Sequence, residues 1–192
     1  MIQMKVIPLF KNEQQLISRA VKGNPRAQEE LYRRYSPKML SVARMYIRDE
    51  QNAEEVMLAG FLKVFTYLAD FRNDGSFEGW IRRIVVRESI SWVRKKDLLV
   101  FSEEPVEPEP TSYSDTVSNL EVEVIQDLID QLPEGYRMVF VMYAIEGYKH
   151  REIAELLDIE VGSSKSQLFK ARKMLQAKIK SLNQSDYERA RI

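Results

Sequence analysis

The chain has 192 residues, is 44% hydrophobic and 30% charged, and balances its acids and bases to a formal net charge of zero. That composition suits one or two folded domains rather than a disordered chain. The lack of cysteine excludes disulfides and thiolate metal sites. The start, MIQMKVIPLFKNEQQ, has no signal-peptide pattern, and no apolar run is long enough to span a bilayer, so a cytoplasmic protein is expected.

Helical signals come first in chain order. Asn12, with Gln15 three residues on, predicts a capped helix through Val21. Gly23-Asn24-Pro25 ends it and starts the next, with Asn24 as cap and Pro25 in the first turn. Ala27, Leu31 and Tyr35 recur at four-residue spacing. Pro37 is expected to kink or restart the helix, and Leu40, Ala43 and Ile47 continue an apolar face beyond it. Asn52 is the expected cap of a third helix running towards Leu68, with Glu54 and Glu55 in its first turn, where the helix dipole favours acids. DFRNDGS, Asp70 to Ser76, reads as a polar turn, and Ser76 as the cap of a fourth helix from Phe77 towards Lys96. Next comes FSEEPVEPEPTSYSD, Phe101 to Asp115, with three prolines, five acids and no apolar period. Proline blocks regular structure and like charges repel, so this segment is expected to be an extended linker.

Helical signals return after it. Leu120, Val124, Leu128 and Leu132 form one stripe, Pro133 opens a helix carrying Val139, Phe140 and Tyr143, and Gly147 closes it. REIAELLDIEVGSSKSQLFKARKML, Arg151 to Leu175, then holds two short helical patterns around a break. Ile153 and Leu157 face inward together, and Ala154 is small where two helices cross. Asp158 tolerates the left-handed backbone that a tight turn demands. Ile159 plugs the turn, Ser163 is the expected cap, and Leu168, Ala171 and Leu175 form the apolar side of the second helix. This is a helix-turn-helix layout, whose second helix lies in the DNA major groove. A helical hairpin without a ligand is the plainer alternative, but the short turn, the small Ala154 and the acid-free second helix favour DNA binding over it.

Charge distribution favours DNA. Residues 82–96 carry Arg82, Arg83, Arg87, Arg94, Lys95 and Lys96 against Glu88 alone. Residues 97–136 hold no Lys or Arg, and residues 161–180 hold Lys165, Lys170, Arg172, Lys173, Lys178 and Lys180 with no acid. Two basic segments around an acidic one suggest two anion-facing modules. No paired carboxylate, Cys-His arrangement or Gly-rich phosphate loop stands out, so no enzyme is expected, and the lone His150 lacks partners for a metal site. Two rivals remain: an adaptor that binds only other helices, and a dimeric regulator that grips duplex DNA by itself at symmetric half-sites.

The blocks LYRRYSPKMLSVARMYI, NAEEVMLAGFLKVF, GSFEGWIRRIVVRESISWVRK and LPEGYRMVFVMYAIEGYKHREIAELLDIEVGSSKSQLFKARKML, in this order, resemble the extracytoplasmic-function sigma factors of the sigma-70 family. The likeness covers about Leu16 to Leu182. It implies an all-α protein: two small helical domains, at 12–97 and 118–182, joined by an acidic Pro-rich linker at 98–117. It also implies a transcription initiation factor that binds RNA polymerase core, opens the −10 element with the first domain and reads the −35 duplex with the second. Promoter DNA and the core enzyme are the implied partners, and the family commonly has an anti-sigma factor as well. No membrane insertion and no cofactor are implied.

By position, the resemblance makes Asn52, Glu54, Glu55, Phe61 and Lys63 candidates for core binding. Leu58-Ala59 stand where relatives often have Gln-Asp or Gln-Glu, which points to a more apolar docking face or to two buried residues. Asn73, Asp74 and Ser76 are candidates for holding a flipped −10 base, and Arg82, Arg83, Arg87, Arg94 and Lys95 for phosphate contact. Arg87 stands where relatives frequently have Asn. Trp80 and Trp92 are expected in the core. Ser163, Ser164, Lys165, Ser166, Gln167 and Lys170 are the −35 candidates, with Arg172 and Lys173 on phosphates. Ser164 replaces the usual Val and Gln167 a frequent Arg, so adenine is the expected preference where Arg would read guanine. His150, the lone histidine, is expected at the surface or on a phosphate. The linker glutamates Glu103, Glu104, Glu107 and Glu109 are expected to imitate phosphates along the polymerase's RNA-exit path.

Overall fold

The computed structural model describes residues 13–96 and 122–189, and every regular element among them is helical. The expected linker, the cap Asn12 and the stripe residue Leu120 lie outside the described residues. Those described form two compact units. One comprises residues up to Arg44 together with Asp49–Ser89; the other comprises Met45–Arg48 and the residues from Ile90 onward.

The first unit contains α1 (Glu13–Val21), most of α2 (Pro25–Tyr46), α3 (Glu50–Thr66) and most of α4 (Phe77–Lys95). Asn24 caps α2 by accepting the Ala27 N–H at 3.0 Å. Pro37 does not restart the helix: α2 runs through it. A proline inside a helix forfeits one backbone hydrogen bond. Here the loss is offset by burial of Leu31, Tyr35, Met39, Val42, Ala43 and Tyr46 along the same helix. The cap of α3 is Asp49 rather than Asn52. Its carboxylate accepts the Asn52 N–H at 2.8 Å, so Asn52 lies inside the first turn. Ser76 caps α4 as expected, accepting the Gly79 N–H at 3.1 Å. Gly60 sets the closeness of α3 and α4: a Cβ there would stand 2.9 Å from Cγ2 of Val85.

In the second unit, Leu128 of α5 (Val122–Asp130) and Leu132 just beyond it share a core with Ala171 and Leu175 of α8 (Val161–Arg189). Between them come α6 (Glu134–Phe140), a π turn over Val141–Ile145, and α7 (His150–Leu157). Arg137 of α6 is buried, with its side chain 1% exposed. Its guanidinium donates to the Glu134 carboxylate and, at 2.8 Å, to the Tyr46 carbonyl. Burial pushes its pKa down and Glu134 pushes it back up. Arginine stays charged through such a contest, so the carboxylate is a necessary companion.

Candidate nucleic-acid and protein interfaces

The α7–α8 pair is built on short-range chemistry. Glu152 accepts the backbone N–H of Lys149 at 2.7 Å and so fixes the start of α7. The helix ends at Asp158, which takes the left-handed conformation (φ 56°, ψ 51°), and the Ile159 N–H closes on the Ala154 carbonyl at 3.0 Å. Ile153, Ala154 and Leu157 face inward. Ser163 is not the cap of α8, which already begins at Val161; the Ser164 N–H bonds the Glu160 carbonyl at 3.1 Å.

The register of α8 sorts the sequence candidates into two groups. Lys165 and Lys173 are exposed, and Ser163, Ser166, Lys170 and Arg172 are half-buried. Ser164 and Gln167 are fully buried, at 0% exposure, and cannot reach a base from this arrangement. Neither polar atom of the Gln167 amide finds a partner among the described residues. The apolar stripe carries the signal for both. Stepping back four residues from Leu168 and Ala171 lands on Ser164 and Gln167, so the inward face continues through them.

Ser164 does have a partner: its Oγ lies 2.9 Å from Nδ1 of His150. The imidazole stacks on Tyr143 with centroids 4.5 Å apart, and the Arg172 guanidinium lies over the same Tyr143 ring at 5.5 Å. Burial lowers the His150 pKa from its ordinary value, and the cations Lys165 and Arg172 lower it further.

On the first unit, the turn before α4 places Asn73 (φ 59°) and Gly75 (φ 116°) in left-handed backbone, and Asn73, Asp74 and Ser76 are all exposed. Trp80 is half-buried against Phe71 and Phe77, at 5.5 and 5.8 Å between centroids, while Trp92, which belongs to the other unit, lies half-buried beneath the Lys96 ammonium. Arg83 and Arg87 are exposed and Arg82 is half-buried. In the other unit, Lys95 is exposed and Arg94 donates to the Leu156 carbonyl at 3.1 Å.

Helix α3 presents a different kind of surface. Glu54, Glu55, Leu58, Ala59, Leu62 and Lys63 are exposed at helical spacing, so acids, apolar residues and a lysine follow one another along one face. Leu62 is 70% exposed and Leu58 47%. Leu58 and Ala59 are therefore not buried, and Leu62 joins them although the sequence reading passed it over. Asn52 is half-buried, and Lys63 bonds Glu88 at 2.6 Å. Phe61 leaves the candidate surface. It is 2% exposed and meets Tyr32 edge-on at 4.9 Å, because it shares the inward stripe of Met57 and Val64.

The family model for sigma-70 region 2 matches residues 31–98, and that for sigma-70 region 4 matches residues 123–175. This chain belongs to the sigma-70 family, in its extracytoplasmic-function (ECF) class. The RNA polymerase sigma-H factor of Pseudomonas aeruginosa is 27% identical over 183 residues, covering 88% of this chain and 95% of that one. The ECF RNA polymerase sigma-E factor of Haemophilus influenzae is 26% identical over 183 residues, covering 88% and 96%. The protein of the same name from Escherichia coli K12 is 27% identical over 183 residues, covering 88% and 95%. In this sigma factor the α3 face and the turn before α4 fall within the region 2 match, and α7 and the first half of α8 within the region 4 match. Among the described residues no helix is long and apolar enough to cross a membrane.

Proposed function

We propose that this sigma factor, which directs RNA polymerase to promoters, docks on the core enzyme through the exposed face of α3 and reads the −35 duplex with α8. The docking contacts are Leu58, Ala59 and Leu62, flanked by Glu54, Glu55 and Lys63. Exposed aliphatic residues ringed by charge suit a protein partner better than a nucleic acid. The basic outer face of α8, with Lys165, Lys170 and Lys173, suits phosphates, while Ser163 and Ser166 are the base-edge candidates that the register leaves available. Residues 70–76 and the outer face of α4 take the melted −10 strand: Asn73, Asp74 and Ser76 hold a base, and Arg82, Arg83 and Arg87 track its backbone. The factor acts by binding and positioning rather than by covalent chemistry, and it works where the polymerase does, in the cytoplasm.

The observation that carries this reading is the coexistence of two unlike surfaces, apolar-acidic on α3 and basic on α8. A regulator that gripped duplex DNA alone would use α7 and α8 but would leave the Leu58–Leu62 face without a purpose. The test is reconstitution. Purified core polymerase should retain the protein on an affinity column, and the pair should initiate at promoters mapped by sequencing transcripts after brief overexpression. Retention without initiation would reduce the chain to a polymerase-binding adaptor; DNA binding without retention would make it a free regulator.

A further inference from the structure

Lys165 and Arg172 lie two turns apart on one flank of α8, and both act electrostatically on the imidazole of His150. His150 starts α7, rests on Tyr143 of the π turn, and meets Ser164 of α8 through Nδ1. Three segments thus converge on one small cationic cluster. Lys149, just before α7, and Arg151 on it are also basic; of the carboxylates close by in sequence, Glu152 is turned back onto the Lys149 N–H, Glu146 follows the π turn and Glu155 lies further along α7. In the neutral ring Nδ1 accepts from the Ser164 hydroxyl, which leaves the proton on Nε2. Nε2 has no partner among the described residues, and the residue is half-buried rather than sealed. A hydroxyl both donates and accepts, so the same Ser164 contact survives when the ring gains a second proton.

We propose that His150, flanked by Lys165 and Arg172, binds a backbone phosphate of the −35 duplex through Nε2, and that this contact takes up one proton. The proposal rests on α8 being the DNA-reading helix. Its logic is electrostatic. In the free protein partial burial favours the neutral ring, and the two cations favour it further because a third positive charge there is unfavourable. An incoming phosphate offsets Lys165 and Arg172 and pairs with the imidazolium, and that pairing favours the charged ring against its burial. Linkage then requires affinity for duplex to rise as pH falls, by at most about tenfold per pH unit for one proton.

The single histidine makes the measurement direct. The ring protons of His150 are followed by NMR in the full chain across pH 5 to 8, alone, with a saturating mixed-sequence DNA duplex at low salt, and with inorganic phosphate at matched phosphate concentration. The free ring should titrate below the ordinary histidine range and move upward with duplex. Duplex affinity should rise roughly three- to tenfold from pH 8 to pH 6. In His150→Gln, which keeps an acceptor for Ser164, that gain should vanish. No movement of the His150 titration with saturating duplex overturns the proposal, as does an undiminished pH dependence in His150→Gln. A response to inorganic phosphate but none to duplex overturns the assignment to DNA. The reading of the chain as a promoter-directing subunit is judged separately, by transcription with core polymerase at one pH. A holoenzyme that initiates while His150 stays unmoved condemns the phosphate site alone.

Discussion

Helices α3 and α8 each turn one face inward to a core and one face outward, yet their outward faces have almost nothing in common. That of α3 runs from Glu54 and Glu55 through Leu58, Ala59 and Leu62 to Lys63. That of α8 carries Lys165 and Lys173, with Lys170 at its edge, and no acid between 161 and 180. An apolar face gains by excluding water and is insensitive to salt. A cationic face gains by displacing counterions from phosphates and weakens steeply as salt rises. Two helices of one small protein are therefore specialised for two chemistries, and ionic strength separates them.

The largest effect is expected at the centre of the α3 face. Leu62, 70% exposed, has no stabilising role in the isolated chain that burial would confer. Leu62→Asp should leave the melting temperature within a few degrees. Exposed apolar anchors that become buried on binding commonly contribute about 2 kcal/mol or more, so its affinity for core polymerase should fall by roughly thirtyfold or more. Duplex binding by α8 should not change. Should the variant bind core polymerase normally in a competition assay, α3 is not the docking helix, and the contrast between the faces loses one side.

On α8 the expectation is smaller and depends on salt. Lys165→Ala and Lys173→Ala should each lower duplex affinity at all sequences, and each should reduce the slope of log affinity against log salt by about one. Retention on core polymerase should be untouched. A loss of affinity whose salt slope matches that of the unaltered chain would mean that these lysines touch no phosphate.

Much of this was legible from local sequence, and the exceptions share a physical cause. Asp158 was readable as a left-handed turn residue because a helix break with an Asx residue is decided within a few residues. Asn24 and Ser76 were readable as caps for the same reason. Asn52 was misread because Asp49 and Asn52 are both good caps three residues apart, and which one wins depends on where packing starts the helix. Pro37 failed to break α2 because tertiary burial outweighed a local rule. Position in the first turns of a helix that resembles a recognition helix makes Ser164 and Gln167 candidates for facing DNA. Helical register says otherwise, since Leu168, Ala171 and Leu175 carry the buried stripe straight back through them. The same arithmetic separates Phe61, inward with Met57 and Val64, from Leu62, outward with Leu58. The surfaces themselves were the harder part: a pattern of apolar residues gives the period of a helix, but only packing shows which face is left uncovered.

Gln167 offers a third and smaller test, on the inward side of α8. A buried amide without a hydrogen-bond partner lowers stability, and an apolar side chain of similar shape removes that cost. Gln167→Met should raise the unfolding free energy by about 1 kcal/mol and leave promoter preference unchanged. Altered preference at a −35 position would show that α8 rotates on DNA to expose Gln167. That would revive the adenine-reading role that its burial now opposes.

The smallest effect concerns the lysine at the end of the α3 face. Lys63 donates to Glu88 of α4 at 2.6 Å, with the two side chains 52% and 19% exposed. Either this charge belongs to the docking face, or it belongs to the fold as a link between two helices. A half-exposed ion pair contributes about 0–1 kcal/mol. In a double-mutant cycle of Lys63→Met, Glu88→Gln and both together, the coupling in stability should be about 0.5 kcal/mol. Core-polymerase affinity should change by less than about threefold, since charge at the rim of an interface influences approach more than affinity. If Lys63→Met instead costs tenfold or more in affinity while Glu88→Gln costs nothing, Lys63 turns outward to meet the polymerase. The α3 face would then depend on charge as the α8 face does, and raising the salt should weaken both.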